Sequence, residues 1–137
     1  MADVPGERFE AGMKVRREVL GDEHVDASVA RTTEFSKPFQ EYITEAAWGS
    51  IWTRDGLDRK TRSCITLAAL TALHCHDELA MHVRAAVRNG LTAAEIREVL
   101  MHTGVYAGVP AANTAMAIAQ RTLAELGEPT AQVPDAG

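Results

Sequence analysis

An all-α fold is what this sequence predicts, on three observations. Apolar residues recur at spacings of three and four through most of the chain, as in Leu79, His82, Val83 and Ala86, or Ile96, Val99, Leu100 and Thr103. Helix ends are marked by punctuating residues: Asn89-Gly90 reads as a stop, and Thr92 with Glu95 three residues on reads as a capping box. No strand alternation, low-complexity tract or clear internal repeat breaks the pattern.

Taken in order, residues 1 to 6 read as disordered, and a first helix is expected from about Glu7 to Leu20, with Phe9, Met13, Val15, Val19 and Leu20 on its apolar side. Gly21 ends it. Asp22 to Arg31 reads as a short helical turn with Asp22 as its cap. Glu34 to Trp48 is expected as one helix burying Phe35, Phe39, Tyr42, Ile43 and Ala46 or Ala47, with Pro38 in its first turn. A short connection from Trp48 to Leu57 then carries two of the seven aromatic residues and Arg54.

The stretch from Asp58 to Glu95 organises the rest. Between Arg62 and Asp77 there is no Lys, Arg, Asp or Glu, and Cys64, Ile65, Leu67, Ala68, Leu70, Ala72 and Leu73 are apolar all round a helical wheel, so a buried helix is expected, running on into His74 and beyond. Thr92 to about Tyr106 follows, with Met101 and Tyr106 near the edge and Gly104 and Gly108 weakening its end. Pro110 opens a last helix through Ala111, Ala112, Ala115, Ala119, Thr122, Leu123 and Leu126 to Gly127. Residues 128 to 137 read as a solvated tail.

At 137 residues the chain fits a single domain, 7 to 127, with frayed ends. A net charge of -5 argues against a nucleic-acid surface, leaving small molecules or copies of itself as partners. Thr103 to Gln120 is uncharged, but its glycines, proline and alanines argue against a membrane span. Two cysteines, Cys64 and Cys75, eleven apart on one expected helix and so about 16 Å along its axis, cannot bridge. With no visible secretory signal, a reducing cytoplasm is expected.

The ionisable cluster His74, Cys75, His76, Asp77, Glu78 and His82 contains the right ligand types for a metal but not the spacing. His74 and His76 diverge by about 200° on a helix, so no metal is expected. Glu78 and His82, four apart, share a face and can form a carboxylate–imidazole pair. His82 is then either a satisfied core histidine or a proton-transfer residue oriented by Glu78. Arg62 either caps the surface end of its helix or holds an anion, while Arg84, Arg88 and Arg97 coat the outside. Trp48 and Trp52 either plug a gap between helices or wall a pocket with Arg54 at its rim.

Several separated segments, in order, resemble one family. Trp48-Gly-x-x-Trp52-x-Arg54-x-Gly-Leu57 with Arg62-Ser63, then Glu78-Leu-x-x-His82-x-Arg84, Asn89-Gly90-Leu-Thr92, Glu95-Ile-x-Glu98-Val-Leu and Tyr106-x-Gly108-Val-Pro110-Ala-Ala-Asn113 are similar to the γ-carboxymuconolactone decarboxylase family, from about Val15 to Leu126. The resemblance implies an AhpD-like helical bundle of about six to seven helices, assembled as a trimer or hexamer, in the protocatechuate branch of the β-ketoadipate pathway. Redox members of that superfamily carry Cys-x-x-Cys-x-x-x-His. Here the register reads Cys75-x-x-Glu78-x-x-x-His82, with Ser63 where a relay glutamate is expected, so dithiol chemistry is not expected and Cys75 is inert.

The implied reaction is cofactor-free decarboxylation of 4-carboxymuconolactone to the β-ketoadipate enol-lactone. Loss of CO2 pushes electrons into the lactone carbonyl, giving a dienolate that is protonated α to it. The protein must supply a cation for the spectator carboxylate, donors for the enolate oxygen, a dry place for the departing carboxylate and one proton donor. The expected assignments are His82 as donor, Glu78 as its orienting partner, Arg62 or Arg54 as carboxylate anchor, and Trp48, Trp52 and Tyr106 as cavity walls, with His102 a weaker acid candidate. The rival readings are a thiol-dependent oxidoreductase and a non-catalytic helical oligomer.

Overall fold

The computed structural model describes residues 5–128, all-α with no strand among them. Expectations for residues 1–4 and 129–137 lie outside the described residues. Contacts divide the chain into two compact units, the division falling between Arg62 and Ser63. No described helix is long and apolar enough to cross a membrane.

In the first unit, α1 (Pro5–Leu20) begins two residues before the expected Glu7, and α2 (Asp22–Ala30) follows at once. Gly21 makes the corner at φ 92°, a conformation that glycine adopts without steric cost. It occupies the N-cap that Asp22 was expected to fill; the Asp22 carboxylate instead accepts from Arg17 at 3.2 Å. Val15, Val19 and Val25 are buried here.

The helix expected from Glu34 to Trp48 begins at Lys37 instead and changes its winding partway without a break. Thr33 and Ser36 bond reciprocally in a turn, α3 spans Lys37–Ile43 with Pro38 in its first turn, and Thr44–Trp48 widens into a π-helical turn. Its expected apolar face is also turned round. Phe35 is 95% exposed, Phe39 61% and Tyr42 65%, while Gln40, Thr44 and Trp48, at spacings of four, point inward. The reason lies in α1: buried Arg16 takes the Gln40 and Thr44 side-chain oxygens as acceptors, so the polar stripe faces in. Gly12 permits the close approach, because a Cβ there would lie 2.8 Å from the Gly49 nitrogen and collide with the Thr44 carbonyl.

The helix α4 (Arg59–Ala72) crosses the division, and its later part opens the second unit. It is buried on one stripe only, through Ser63, Leu67 and Thr71; Ile65 and Leu73, expected inside, are 53% and 71% exposed. Nor does it run on into the histidines. Leu73 to Cys75 form a turn in which His74 takes φ 59° and Cys75 N donates to the Leu70 carbonyl at 2.9 Å, and α5 (His76–Arg88) starts afresh. Cys64 and Cys75 therefore sit on separate sides of a turn, as free thiols.

The remaining two helices follow the expected punctuation. Gly90 turns the chain at φ 98°, Thr92 Oγ1 accepts from Glu95 N at 3.1 Å, and Glu95 Oε1 accepts from Thr92 N at 3.0 Å, opening α6 (Ala93–Ala107). Gly108 at φ 110° joins it to α7 (Val109–Glu125). The core of this unit gathers Leu67, Leu79, Val83, Ile96, Leu100 and Leu123 with alanines of α5 and α7. Gly104 lies within α6, which runs on to Ala107. It is buried at a contact where an added Cβ would lie 2.6 Å from the Ala112 Cβ.

Candidate functional site

The candidate residues of the first unit fall in and around the connection that follows the π turn. Gly49 N donates to the Thr44 carbonyl at 2.8 Å and Trp52 N to the Ala47 carbonyl at 3.0 Å, both across five residues. This wide winding stacks Trp48 on Trp52, with centroids 5.2 Å apart and planes 30° from parallel. Trp48 is buried and Trp52 half-buried. The pair forms an apolar plate at the exit of the π turn.

Arg62 is half-buried, and its Nη2 donates to the Arg54 carbonyl at 3.1 Å. The two arginines are therefore brought together through backbone, with the Arg54 side chain exposed. Asp58 prepares the position: its Oδ1 accepts from Thr61 N at 2.7 Å, capping the start of α4 one turn before Arg62. That amide bond holds the Asp58 carboxyl below its ordinary range.

In the second unit, Glu78 lies exposed in the first turn of α5, where a carboxylate favours the helix dipole. His82, one turn on, is half-buried between fully buried Leu79 and Val83. Glu78 and His82 lie one turn apart on the same helix, the shared face that their spacing predicts. His74 and His76 meet edge to face at 6.1 Å, and the described residues hold no group of three His, Cys, Asp or Glu placed as metal ligands.

Tyr106 is 81% exposed at the end of α6, its ring 5.3 Å from that of exposed His102. It lies on the surface of its unit. Ser63 is buried and accepts from Asn89 Nδ2 at 2.9 Å. Arg84, expected outside, is exposed and ion-paired with Glu125.

Arg16 is the feature the sequence reading passed over. It is 7% exposed and lines a cavity of about 330 Å³ with Phe9, Met13, Val29, Gln40 and Thr44. A signal was present: Arg16 follows Phe9 and Met13 at helical spacing, a charge on an apolar stripe. Burial, then the neighbouring Arg17, pushes its pKa down from the ordinary arginine value.

Chemically these residues supply a half-buried imidazole, cations on and near α4, and stacked indoles. Those are parts for binding an anion and moving one proton. Residues 37–121 match the carboxymuconolactone decarboxylase family. The chain is 46% identical over 121 residues to a 4-carboxymuconolactone decarboxylase of Acinetobacter baylyi, covering 88% of this chain and 90% of that one. It is 45% identical over 118 residues to a nitrosuccinic acid decarboxylase of Metarhizium robertsii, covering 86% and 82%. A 4-carboxymuconolactone decarboxylase of Pseudomonas putida is 51% identical over 43 residues, 31% of this chain and 90% of that one.

Proposed function

The chain belongs to the carboxymuconolactone decarboxylase family, and from that premise we propose that it is a carboxy-lyase converting 4-carboxymuconolactone to the β-ketoadipate enol-lactone in protocatechuate catabolism. The observation that carries this reading is the 46% identity to a 4-carboxymuconolactone decarboxylase over nine-tenths of that protein's length. The chemistry fits a protein without a prosthetic group, because the lactone carbonyl is itself the electron sink. As the carbon–carboxylate bond breaks, its electron pair enters the ring double bond and the carbonyl oxygen, and a proton must then reach the α-carbon.

His82 is the proposed donor of that proton. It has the chemistry for the task, since an imidazole titrates near neutrality, and burial of its flanks in Leu79 and Val83 restricts water on that side. Glu78, on the same face one turn earlier, is the proposed orienting group. Arg62 or Arg54 is the proposed anchor for the spectator carboxylate, and Trp48, Trp52 and Tyr106 the proposed apolar surfaces.

A second reading keeps the reaction type and changes the substrate. The relationship to a nitrosuccinic acid decarboxylase supports it. In nitrosuccinate a nitro group beside the departing carboxylate takes the electron pair, and a proton is again delivered to carbon. The protein's task is the same in both: grip one carboxylate, release the other as CO2, protonate a carbanion equivalent.

We also propose that the chain assembles as a homo-oligomer, a trimer or hexamer, in the cytoplasm. Phe35, Phe39 and Tyr42 in the first unit, and Val105, Tyr106 and Val109 in the second, leave apolar surface exposed of the kind that associating faces use. Light scattering on purified protein measures the assembly, and a monomer would overturn it. Turnover of 4-carboxymuconolactone and of nitrosuccinate, followed by ultraviolet absorbance and CO2 release, decides between the two substrates. Absence of both activities in folded protein would overturn the decarboxylase reading.

A further inference from the structure

Arg16 is a buried cation held only by neutral groups. Nη1 donates to Thr44 Oγ1 at 3.4 Å, and Nη2 donates to Ser28 Oγ at 3.0 Å and Gln40 Oε1 at 3.3 Å. A guanidinium has five N–H donors, so these bonds leave two unused, and Nε has no acceptor among the described residues. Nearby charges are taken up elsewhere: Arg17 pairs with Asp22 and Asp26, and Lys37 with Glu41 at 3.8 Å. Lys37 and Glu41 line the same cavity but pair with each other at its exposed edge, and no hydrogen bond or ion pair gives Arg16 a carboxylate partner among the described residues.

Folded proteins seldom bury an ion without an opposite charge, because desolvation is not repaid by neutral acceptors alone. When such an ion lines a cavity, the missing charge is a ligand's. The other walls are mixed: Phe9, Met13 and Val29 give an apolar side, Thr32, Gln40 and Thr44 a polar one, and the volume of about 330 Å³ is at the low end for binding pockets.

We propose that this hollow binds a small organic carboxylate, whose anionic group supplies the counter-charge to Arg16 and whose hydrocarbon body lies against Phe9, Met13 and Val29. The site is built from first-unit residues alone and asks nothing of His82, so it stands or falls apart from the proposed reaction. Phosphate or sulfate would meet the charge but not the apolar walls, which selects a carboxylate with a hydrocarbon body.

The test is a titration of the intact protein with propionate and succinate, against propionamide and against sodium chloride at matched ionic strength. The readouts are the ¹H–¹⁵N resonance of Arg16 Nε and the thermal midpoint. A saturable shift with the carboxylates and none with the amide is expected; the thermal response should be at least tenfold weaker in Arg16→Met, and the Nε response should be unchanged in Val105→Ala, in the second unit. Val29→Phe, which narrows the cavity and leaves the guanidinium in place, should weaken the Nε response similarly and serves if Arg16→Met fails to fold. No saturable response, an equal response to propionamide, or full affinity in either cavity variant would overturn the proposal.

Discussion

Asn89 donates from Nδ2 to the Ser63 hydroxyl at 2.9 Å, fastening the end of α5 to the buried stripe of α4. Ser63 is 1% exposed, so this bond satisfies a polar group that has no access to water. Ser63→Ala and Asn89→Ala should each destabilise the protein by about 1–2 kcal/mol, and the double variant by less than their sum. Urea unfolding of the four proteins measures the coupling; strict additivity would dissolve the link.

His82→Ala should lower kcat by about 10²–10⁴-fold while leaving the circular dichroism spectrum unchanged. Glu78→Gln should reduce kcat less, since it orients rather than donates, and should shift the pH profile of kcat. Unchanged turnover in folded His82→Ala would remove the imidazole from the mechanism.

Arg62→Ala removes both a cation and the clamp on the Arg54 carbonyl, whereas Arg54→Ala removes only a side chain and keeps that carbonyl. If Arg62 holds the spectator carboxylate, its loss raises KM with a smaller change in kcat. Arg54→Ala separates the alternatives: a matching rise in KM there transfers the anchor to Arg54.

Gly104→Ala should destabilise by about 1–3 kcal/mol, because the new methyl would sit 2.6 Å from the Ala112 Cβ between two packed helices. Ala112→Gly in the same chain should restore part of the loss. Thermal denaturation of the pair tests the contact, and a Gly104→Ala protein as stable as the parent would refute it.

His24 has its pKa pushed below the ordinary value of 6.5, first by burial, then by the charges of Arg16 and Arg31. Below pH 6.5 the unfolded chain therefore binds a proton that the folded chain resists, and stability falls as pH drops through that value. His24→Gln should flatten the stability curve between about pH 7 and 5. An unchanged curve would show that other groups set the slope.

Elements whose cause is local were legible in the sequence. The capping box at Thr92 and Glu95, the stop at Asn89-Gly90 and the inward stripe of Ile96, Leu100 and Thr103 depend on residues within a few positions of one another. What was missed depends on distant partners. Phe35, Phe39 and Tyr42 have the spacing of a buried face, but a guanidinium on another helix claimed the opposite one. Likewise nothing near His74 announces that an apolar run will break there, since the bend is closed by Cys75 reaching back to Leu70.

The candidate site divides in the same way. Trp48, Trp52 and Arg54 could be singled out as large or charged residues in a connection, yet only the winding of Thr44–Trp48 stacks the indoles. The face shared by Glu78 and His82 was readable from a spacing of four; whether the side chains meet is a matter of rotamer, which spacing does not fix.

The π winding before Trp48 amounts to one residue more than an ordinary helix needs to climb the same distance. Each residue advances the spiral by about 100°, so cutting a single codon at Ala46 would rewind that turn and swing both tryptophans to a new bearing. A chain shortened by one alanine, with every other amino acid kept, would thus present the indole pair to different neighbours; in this stretch, length itself is a determinant of shape.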